Sequence, residues 1–128
     1  MSPSFLSIEE LLRLHFQLIK EYGGSHGVRD EGRLQPIIET PKQNLFNYEQ
    51  YGSVFYKSAV YLRNIIGDYP FVDGNKRTAL TACVIFLVRN GALLTANPQE
   101  LEDFTVQAAT NHLTIELIAS WLQQNCSV

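Results

Sequence analysis

The stretch NKRTALTACVIFLVRNG, residues 75–91, decides the fold that the sequence predicts. From Ala79 to Val88 it is apolar nearly all round a helix, which is typical of a segment buried at the centre of a helical bundle. We expect a helix from about Asn75 to Asn90, with Gly91 as its C-cap. This helix would be the spine of the domain.

Apolar residues recur with helical period on both sides of this spine, and no stretch alternates cleanly enough to indicate a strand. Four helix starts are marked by N-cap residues, namely Ser7 with Glu10, Ser53, Asn97 with Pro98 and Glu100, and Thr114. Gly67 is expected to end the helix that Ser53 begins, and another short helix starts near Gln35. The sequence therefore predicts an all-α, compact bundle of about six helices around a central buried helix.

The first of these helices is expected to bury one apolar face. The residues assigned to that face are Leu11, Leu12, Phe16, Leu18, Ile19 and Tyr22. Residues 41–52 are polar and aromatic, which fits an exposed loop or a short hairpin, and a functional flap and a plain connection both stay open there. The aromatic residues Phe46, Tyr48 and Tyr51 are candidates for target or partner contact, or are ordinary solvated loop residues.

The length and charge of the chain restrict the classes of protein to which it can belong. A chain of 128 residues has the size of one domain, so we expect residues 1–128 to form a single domain. Ten Lys and Arg against thirteen Asp and Glu give a net charge of −3, with no basic run for direct nucleic-acid binding. The apolar stretch 79–88 is too short to cross a bilayer, and the N-terminus lacks a signal-peptide pattern. The expectation is a soluble cytoplasmic protein that binds neither membrane nor nucleic acid.

The two cysteines are expected to be structural thiols. Cys83 lies in the apolar helical run and Cys126 lies in the C-terminal tail. Two cysteines so placed form neither a disulfide framework nor a metal-ligand spacing.

The segment FVDGNKRT, residues 71–78, predicts a phosphate site at the start of the spine helix. A helix N-terminus offers unpaired N–H groups and positive partial charge, and Gly74 lets the backbone approach an anion. Asn75, Lys76 and Arg77 add side-chain donors, while Asp73 is a hard oxygen ligand suited to Mg²⁺. The alternative is a charged helix start in which Asp73 caps the helix and the two cations are only solvated. Two cations at a positive helix end favour the anion-binding interpretation.

The stretch YPFVDGNKRTAL, residues 69–80, resembles the signature of the Fic/Doc family, which runs His, any residue, Phe, any residue, Asp or Glu, Gly or Ala, Asn, Gly or Lys, Arg. The segments SIEELLRLHFQLIKEYGG, DEGRLQPII, FLVRNG and FTVQAAT are similar to the short Doc branch, the toxin half of death-on-curing toxin–antitoxin modules. The resemblance covers essentially the whole chain. It implies the Fic/Doc fold, an antitoxin partner, and transfer of the ATP γ-phosphate to a Thr of elongation factor Tu, which arrests translation.

The same resemblance implies roles for individual residues. Asp73 would hold Mg²⁺, and the catalytic set would be Tyr69, Asp73, Lys76 and Arg77. The nucleotide-binding set would be Gly74, Asn75, Lys76, Arg77 and Thr78. Lys76 favours protein kinase activity over AMP transfer, because family members that transfer AMP typically carry Gly there. Phe71 would be a buried anchor for the loop rather than a catalytic group.

Tyr69 is the main departure from the family signature, because it stands where the family has its catalytic His. An imidazole is largely available as a general base at neutral pH, whereas roughly one phenol in a thousand is ionised there. Loss of general base catalysis typically lowers the reaction rate about 10²- to 10⁴-fold. The positive charge of Lys76 or Arg77 could restore part of this rate by favouring the phenolate form of Tyr69. Either the natural protein carries Tyr69, or a His was replaced to disarm a toxin.

Three histidines elsewhere are possible substitutes for the missing base. His15, His26 and His112 are each interpreted as surface or capping residues instead. The activity is therefore expected to be reduced or abolished. AMP transfer to a protein hydroxyl and a nucleotide-binding pseudoenzyme are the alternative functions.

Overall fold

The computed structural model describes residues 3–45, 48–49 and 53–127, and the predicted all-α fold is confirmed. Its six α-helices are α1 (Ile8–Tyr22), α2 (Leu34–Glu39), α3 (Val54–Asp68), α4 (Asn75–Arg89), α5 (Pro98–Thr110) and α6 (Ile115–Gln124). Short 3₁₀ turns at Glu31–Arg33 and Thr40–Lys42 flank α2. One hydrophobic core includes buried side chains from all six helices.

Among the described residues, four two-residue strands join in antiparallel pairs. Strands β1 (Asn44–Leu45) and β2 (Tyr48–Glu49) form a small hairpin inside the segment predicted as a loop or hairpin. Strands β3 (Leu93–Leu94) and β4 (Cys126–Ser127) pair at the end of the chain. The predicted contact residues Phe46 and Tyr51 lie outside the described residues, as does the side chain of Tyr48.

The predicted N-caps are confirmed, because each depends on residues three apart in sequence. Ser7 and Glu10 form a capping box on α1, and Asn97 and Glu100 form another on α5. Ser53 and Thr114 accept from backbone N–H groups of α3 and α6. Two predicted helix ends are wrong by one residue or two: α3 runs through Gly67 to a C-cap at Tyr69, and Asn90 rather than Gly91 is the C-cap of α4.

The centre of the bundle is α3 rather than the predicted spine. All six residues 57–62 of α3 are buried, so this stretch of the helix is enclosed on every side. Helix α4 packs on it, with Phe86 in ring contact with Tyr61, while Val88 of α4 is 50% exposed. The apolar run in α4 therefore indicated a buried helix correctly but did not identify the most enclosed one.

The buried face of α1 also differs from the prediction. It consists of Leu11, His15 and Ile19, which are spaced four residues apart and lie on one side of the helix. Phe16 and Tyr22, predicted to be buried, are 53% and 59% exposed. This face of α1 turns a histidine towards the segment that joins α3 to α4.

Both cysteines are free thiols, as predicted. Cys83 is buried in α4, and its burial raises the pKa of the thiol to about 12. No helix among the described residues is long and apolar enough to cross a membrane.

Candidate functional site

The candidate site lies on the loop between α3 and α4, which begins at Tyr69. This residue is the C-cap of α3 and adopts the left-handed conformation, with φ 48° and ψ 55°. Its N–H donates to the carbonyl oxygen of Ile65 at 3.3 Å. Since α3 ends there, the ring of Tyr69 stands 57% exposed at the start of the loop.

A second segment of backbone, residues 27–30, runs antiparallel beside the loop. Val28 and Phe71 form an isolated β-bridge. The Arg29 side chain donates from Nε to the carbonyl oxygen of Tyr69 at 2.6 Å and from Nη2 to that of Asp68 at 2.7 Å. The fork of Arg29 therefore covers carbonyl groups that the end of α3 leaves unpaired.

Phe71 anchors the loop in the core, as predicted, and Asn75 clamps it. The Phe71 side chain is fully buried. Asn75 Oδ1 accepts from the Phe71 N–H at 3.0 Å, and its Nδ2 donates to the Phe71 carbonyl at 2.9 Å. Both polar atoms of the Asn75 side chain bond to the loop, so its predicted donation to phosphate would come from the second N–H of Nδ2 and stays a prediction. Asn75 can offer an anion its backbone N–H and the N–H of Nδ2 that does not bond to Phe71.

His15 of α1 lies beneath the loop. Its side chain is 4% exposed, its ring stacks on Phe71 with centroids 3.8 Å apart, and its Nε2 lies 2.8 Å from the carbonyl oxygen of Asp73. Burial lowers the pKa of His15 from its ordinary value. The prediction of a surface or capping role for His15 is wrong. His26 and His112 are exposed, as predicted.

Asp73 lines a cleft on the solvent side of the loop, together with Tyr69 and Lys76. Its Oδ2 accepts from the Ser25 N–H at 3.0 Å. The N-cap of α4 is Gly74, which makes no side-chain cap, so the alternative that Asp73 caps this helix is wrong. The Asp73 carboxylate is held at the edge of the cleft, where it can serve as an oxygen ligand.

Gly74 brings the backbone close to α1 and starts α4. Its φ of 75° is left-handed, and a Cβ added there would lie 3.0 Å from Ile19 Cδ1. The first helical bond runs from the Thr78 N–H to the Gly74 carbonyl at 2.9 Å. The N–H groups of residues 75–77 precede this bond, so they are the helix's unpaired donors.

Two adjoining cavities meet at the start of α4. One, of about 410 Å³, is lined by Tyr69 and residues 72–77. The other, of about 370 Å³, shares Lys76 and Arg77 with the first and extends to Tyr22 of α1 and Val106 of α5. Both cations are exposed, so the cleft combines free backbone donors, positive charge and the carboxylates of Asp73 and Glu102.

Thr78 does not belong to this cleft. Its side chain is fully buried, and its Oγ1 has no hydrogen-bond partner among the described residues. Thr78 lines neither of the two cavities, and its place in the nucleotide-binding set stays a prediction. The remaining predicted site residues, Tyr69 and residues 73–77, do lie together along one cavity.

The chemistry of the cleft fits a polyphosphate carrying a divalent cation. Lys76, Arg77 and the N–H groups at the start of α4 complement phosphate oxygens. Within the described part of the chain no three His, Cys, Asp or Glu side chains could hold a metal together. A Mg²⁺ ion on Asp73 would take its other ligands from phosphate and water, the usual arrangement for this ion at nucleotides.

Three residues that support the site were not identified from the sequence. These are His15, the Ser25 N–H, and Tyr22, whose ring lies under Arg77. For His15 a signal existed, because it lies four residues after Leu11 and four before Ile19, on the face that the helix buries. For Ser25 and Tyr22 the sequence carries no comparable pattern.

The comparisons with known proteins agree with this geometry. The model of the Fic/DOC family matches residues 5–87. The chain is 40% identical over 119 residues to "Protein kinase doc" of Escherichia phage P1, covering 93% of each protein. It is 33% identical over 103 residues to "Toxin Doc" of Mycolicibacterium smegmatis, covering 79% of each.

Proposed function

The chain belongs to the Fic/DOC family, and from this membership we propose that it is the toxin of a type II toxin–antitoxin module. It would act in the cytoplasm as one Fic/Doc domain over residues 1–128, transferring the γ-phosphate of ATP to a Thr of elongation factor Tu. Two relatives named as a Doc kinase and a Doc toxin support this. The observation that carries this proposal is that Lys76, Arg77 and the unpaired N–H groups at the start of α4 lie in one cleft.

The proposed role of the cleft is to bind and orient phosphate. The N–H groups of residues 75–77 and the Arg77 fork face phosphate oxygens, and Lys76 adds a point charge. Asp73 would hold Mg²⁺ through its carboxylate, whose Oδ2 accepts from the Ser25 N–H. ATP with Mg²⁺, when bound, supplies the phosphoryl group and the metal's charge. Phosphoryl transfer relies mostly on positioning and charge stabilisation, and this chain's residues serve both.

Tyr69 occupies the place of a general base in this scheme. Its exposed ring lines the same cleft as Lys76 and Arg77. A phenol is mostly protonated at neutral pH, so a base at this position should work about 10²- to 10⁴-fold less well than an imidazole. The proposed toxin is therefore impaired in the phosphoryl transfer itself, while its binding groups are intact.

Tyr69 also favours a second candidate function, that of a nucleotide-binding pseudoenzyme. Such a protein would bind ATP in the same cleft and signal through a partner, without turnover. A third, AMP transfer to a protein hydroxyl, would use the same groups with the nucleotide reversed. The three differ in what reaches the target: γ-phosphate, AMP or nothing.

The test is transfer of label from γ-³²P-ATP, and in parallel from α-³²P-ATP, to purified elongation factor Tu with Mg²⁺. Three proteins are compared: the chain itself, Tyr69→His and Tyr69→Phe. His is among the residues tolerated at a left-handed φ, so Tyr69→His should keep the loop. Tyr69→Phe keeps the ring and removes the hydroxyl.

The proposal predicts γ-label transfer by Tyr69→His at about 10²- to 10⁴-fold the rate of the unchanged chain, and growth arrest when it is expressed. Activity of the unchanged chain that Tyr69→Phe loses would assign the base to the phenol. Transfer of α-label would support AMP transfer. ATP binding without transfer by any of the three would support the pseudoenzyme.

The proposed partner is an antitoxin protein. A toxin of this kind is held inactive by a segment that is disordered alone and docks as a helix near the active site. Neither direct nucleic-acid binding nor membrane binding is part of the proposal. Co-expression of Tyr69→His with its cognate antitoxin should restore growth.

A further inference from the structure

His15 connects α1 to the backbone of the candidate site, 58 residues later in the chain. The side chain is buried, and its Nε2 lies 2.8 Å from the carbonyl oxygen of Asp73. A carbonyl oxygen can only accept a hydrogen bond, so Nε2 must carry the proton and donate. This contact fixes the tautomer of the ring as well as the place of the carbonyl.

The ring of His15 is itself held in place. It stacks on Phe71 with an interplanar angle of 5°, and Asn75 ties the Phe71 backbone to the start of α4. A Cβ built on Gly74 would lie 3.9 Å from Nε2 of His15. The imidazole therefore lies directly under the turn that begins α4, with little freedom to rotate.

The direction of one peptide group follows from this contact. The Asp73 carbonyl and the Gly74 N–H belong to the same planar trans peptide, so they point in opposite directions. Because the carbonyl points at His15 below the loop, the Gly74 N–H points away from α1. Gly74 and residues 75–77 line the same cavity.

We propose that His15 is a positioning residue for phosphate: its Nε2–H orients the Asp73–Gly74 peptide so that the Gly74 N–H joins the donors of α4 in facing the anion. This inference rests on the proposed function for the identity of the ligand. It assigns no contact between His15 and the ligand. The hydrogen bond and the stack make separate contributions, which two substitutions can separate.

The binding test compares three variants with the unchanged chain. His15→Phe keeps a flat ring against Phe71 and removes the donor, and His15→Gln restores a donor at the reach of Nε2. Leu11→Ala, one turn earlier on the same buried face, is the control for lost stability alone. Affinity for Mg²⁺·ATP and for inorganic tripolyphosphate is measured by calorimetry, at temperatures where each protein is folded by circular dichroism.

Loss of the oriented donor is expected to weaken binding of both ligands about tenfold in His15→Phe. His15→Gln should recover most of that affinity, and Leu11→Ala should bind as the unchanged chain does. Unaltered affinity in His15→Phe would overturn the inference. So would an equal loss in Leu11→Ala, because the effect would then come from stability alone.

A measurement on the unchanged chain decides the inference even if variants fail to fold. In ¹⁵N NMR spectra, His15 should carry its proton on Nε2 and none on Nδ1, and a ring protonated only on Nδ1 would overturn the inference. If the chain binds neither ligand, the proposed function fails. The effect of His15 on the loop backbone is still tested by the amide signals of residues 74–77. These signals should move in His15→Phe and return in His15→Gln, and unmoved signals count against the role.

Discussion

The guanidinium of Arg77 lies over the ring of Tyr22, with its Cζ atom 4.2 Å from the ring centroid. Tyr22 is the last residue of α1 and Arg77 is in the first turn of α4, so the pair connects two helices at the edge of the site. Stacking restrains the plane of the guanidinium without using its N–H donors. Arg77 is thus oriented while its fork stays available to phosphate.

Tyr22→Ala should weaken ATP binding by roughly two- to fivefold, because an exposed cation–π contact is worth about 0.5–1 kcal/mol. Tyr22→Phe keeps the ring and should bind nearly as the unchanged chain does. Calorimetric titration with Mg²⁺·ATP measures both. Equal weakening in the two variants would assign the effect to the hydroxyl and contradict the role of the stack.

Asp73→Asn should remove the Mg²⁺-dependent part of ATP affinity. Asn keeps an oxygen that can accept from the Ser25 N–H, so the change is mainly one of charge. Binding measured with Mg²⁺ should fall about tenfold, while binding measured in EDTA should not fall. Asp68→Asn, outside the cavity, is the matched control. A loss that is equal with and without Mg²⁺ would argue against Asp73 as a metal ligand.

Gly74→Ala should lower the free energy of unfolding by about 1 kcal/mol, because a side chain is strained at a left-handed φ. Part of the cost should come from the 3.0 Å approach to Ile19 Cδ1. Ile19→Val removes that atom, so the Gly74→Ala penalty should shrink in the Ile19→Val background. Urea unfolding of the four proteins gives this coupling. Additive effects would show that the contact with Ile19 carries no strain.

Arg29→Ala should destabilise the end of α3, because two backbone carbonyls lose their donors. The expected loss in the free energy of unfolding is about 1 kcal/mol. Arg29→Lys has a single ammonium instead of a fork and should recover only part of the loss. Urea unfolding measures each variant. A fully stable Arg29→Ala protein would mean that water replaces the side chain at no cost.

Glu10 should make the free energy of unfolding depend on pH in the acidic range. Its hydrogen bond from Arg89 lowers the pKa of the carboxyl from 4.5 to about 2. Because the pKa of Glu10 is lower in the folded state, its ion pair with Arg89 stabilises the fold above pH 4.5, and this stabilisation is lost as the pH falls towards 2. The change should be about 1 kcal/mol, as for a partly exposed pair.

Glu10→Gln is the matched variant, because Gln can keep the capping box with Ser7. The difference in unfolding free energy between the two proteins should shrink steadily across this acidic range. Urea unfolding at several pH values checks it. A difference that stays constant with pH would contradict the assigned ion pair.

Features that depend on neighbours in sequence were predictable. The capping boxes at Ser7 and Asn97 each join residues three apart, and a short side chain can satisfy the helix start alone. The order Asp, Gly, Asn, Lys, Arg likewise located the candidate cleft, because a helix N-terminus and its flanking charges are local in sequence.

Features that depend on distant packing were not predictable in the same way. The two bonds between the Asn75 amide and the Phe71 backbone were not predictable, because only the folded loop brings these groups together. Thr78 follows the cations directly, yet helical rotation turns it into the core, where it is fully buried. His15 bonds to the Asp73 carbonyl, which lies 58 residues later in the chain, and no local sequence pattern predicts that hydrogen bond.

The contacts of residues 15–29 with the loop have a consequence for the order of folding. The bonds from His15 and Ser25 to Asp73 and from Arg29 to Tyr69 each close 40 to 58 residues of chain. Closing such loops costs conformational entropy before the new contacts can stabilise the chain. We therefore expect these contacts to form late in folding. A nascent chain that has released α1 and α3 but not α4 therefore has no site, and anion binding appears only with the complete tertiary structure.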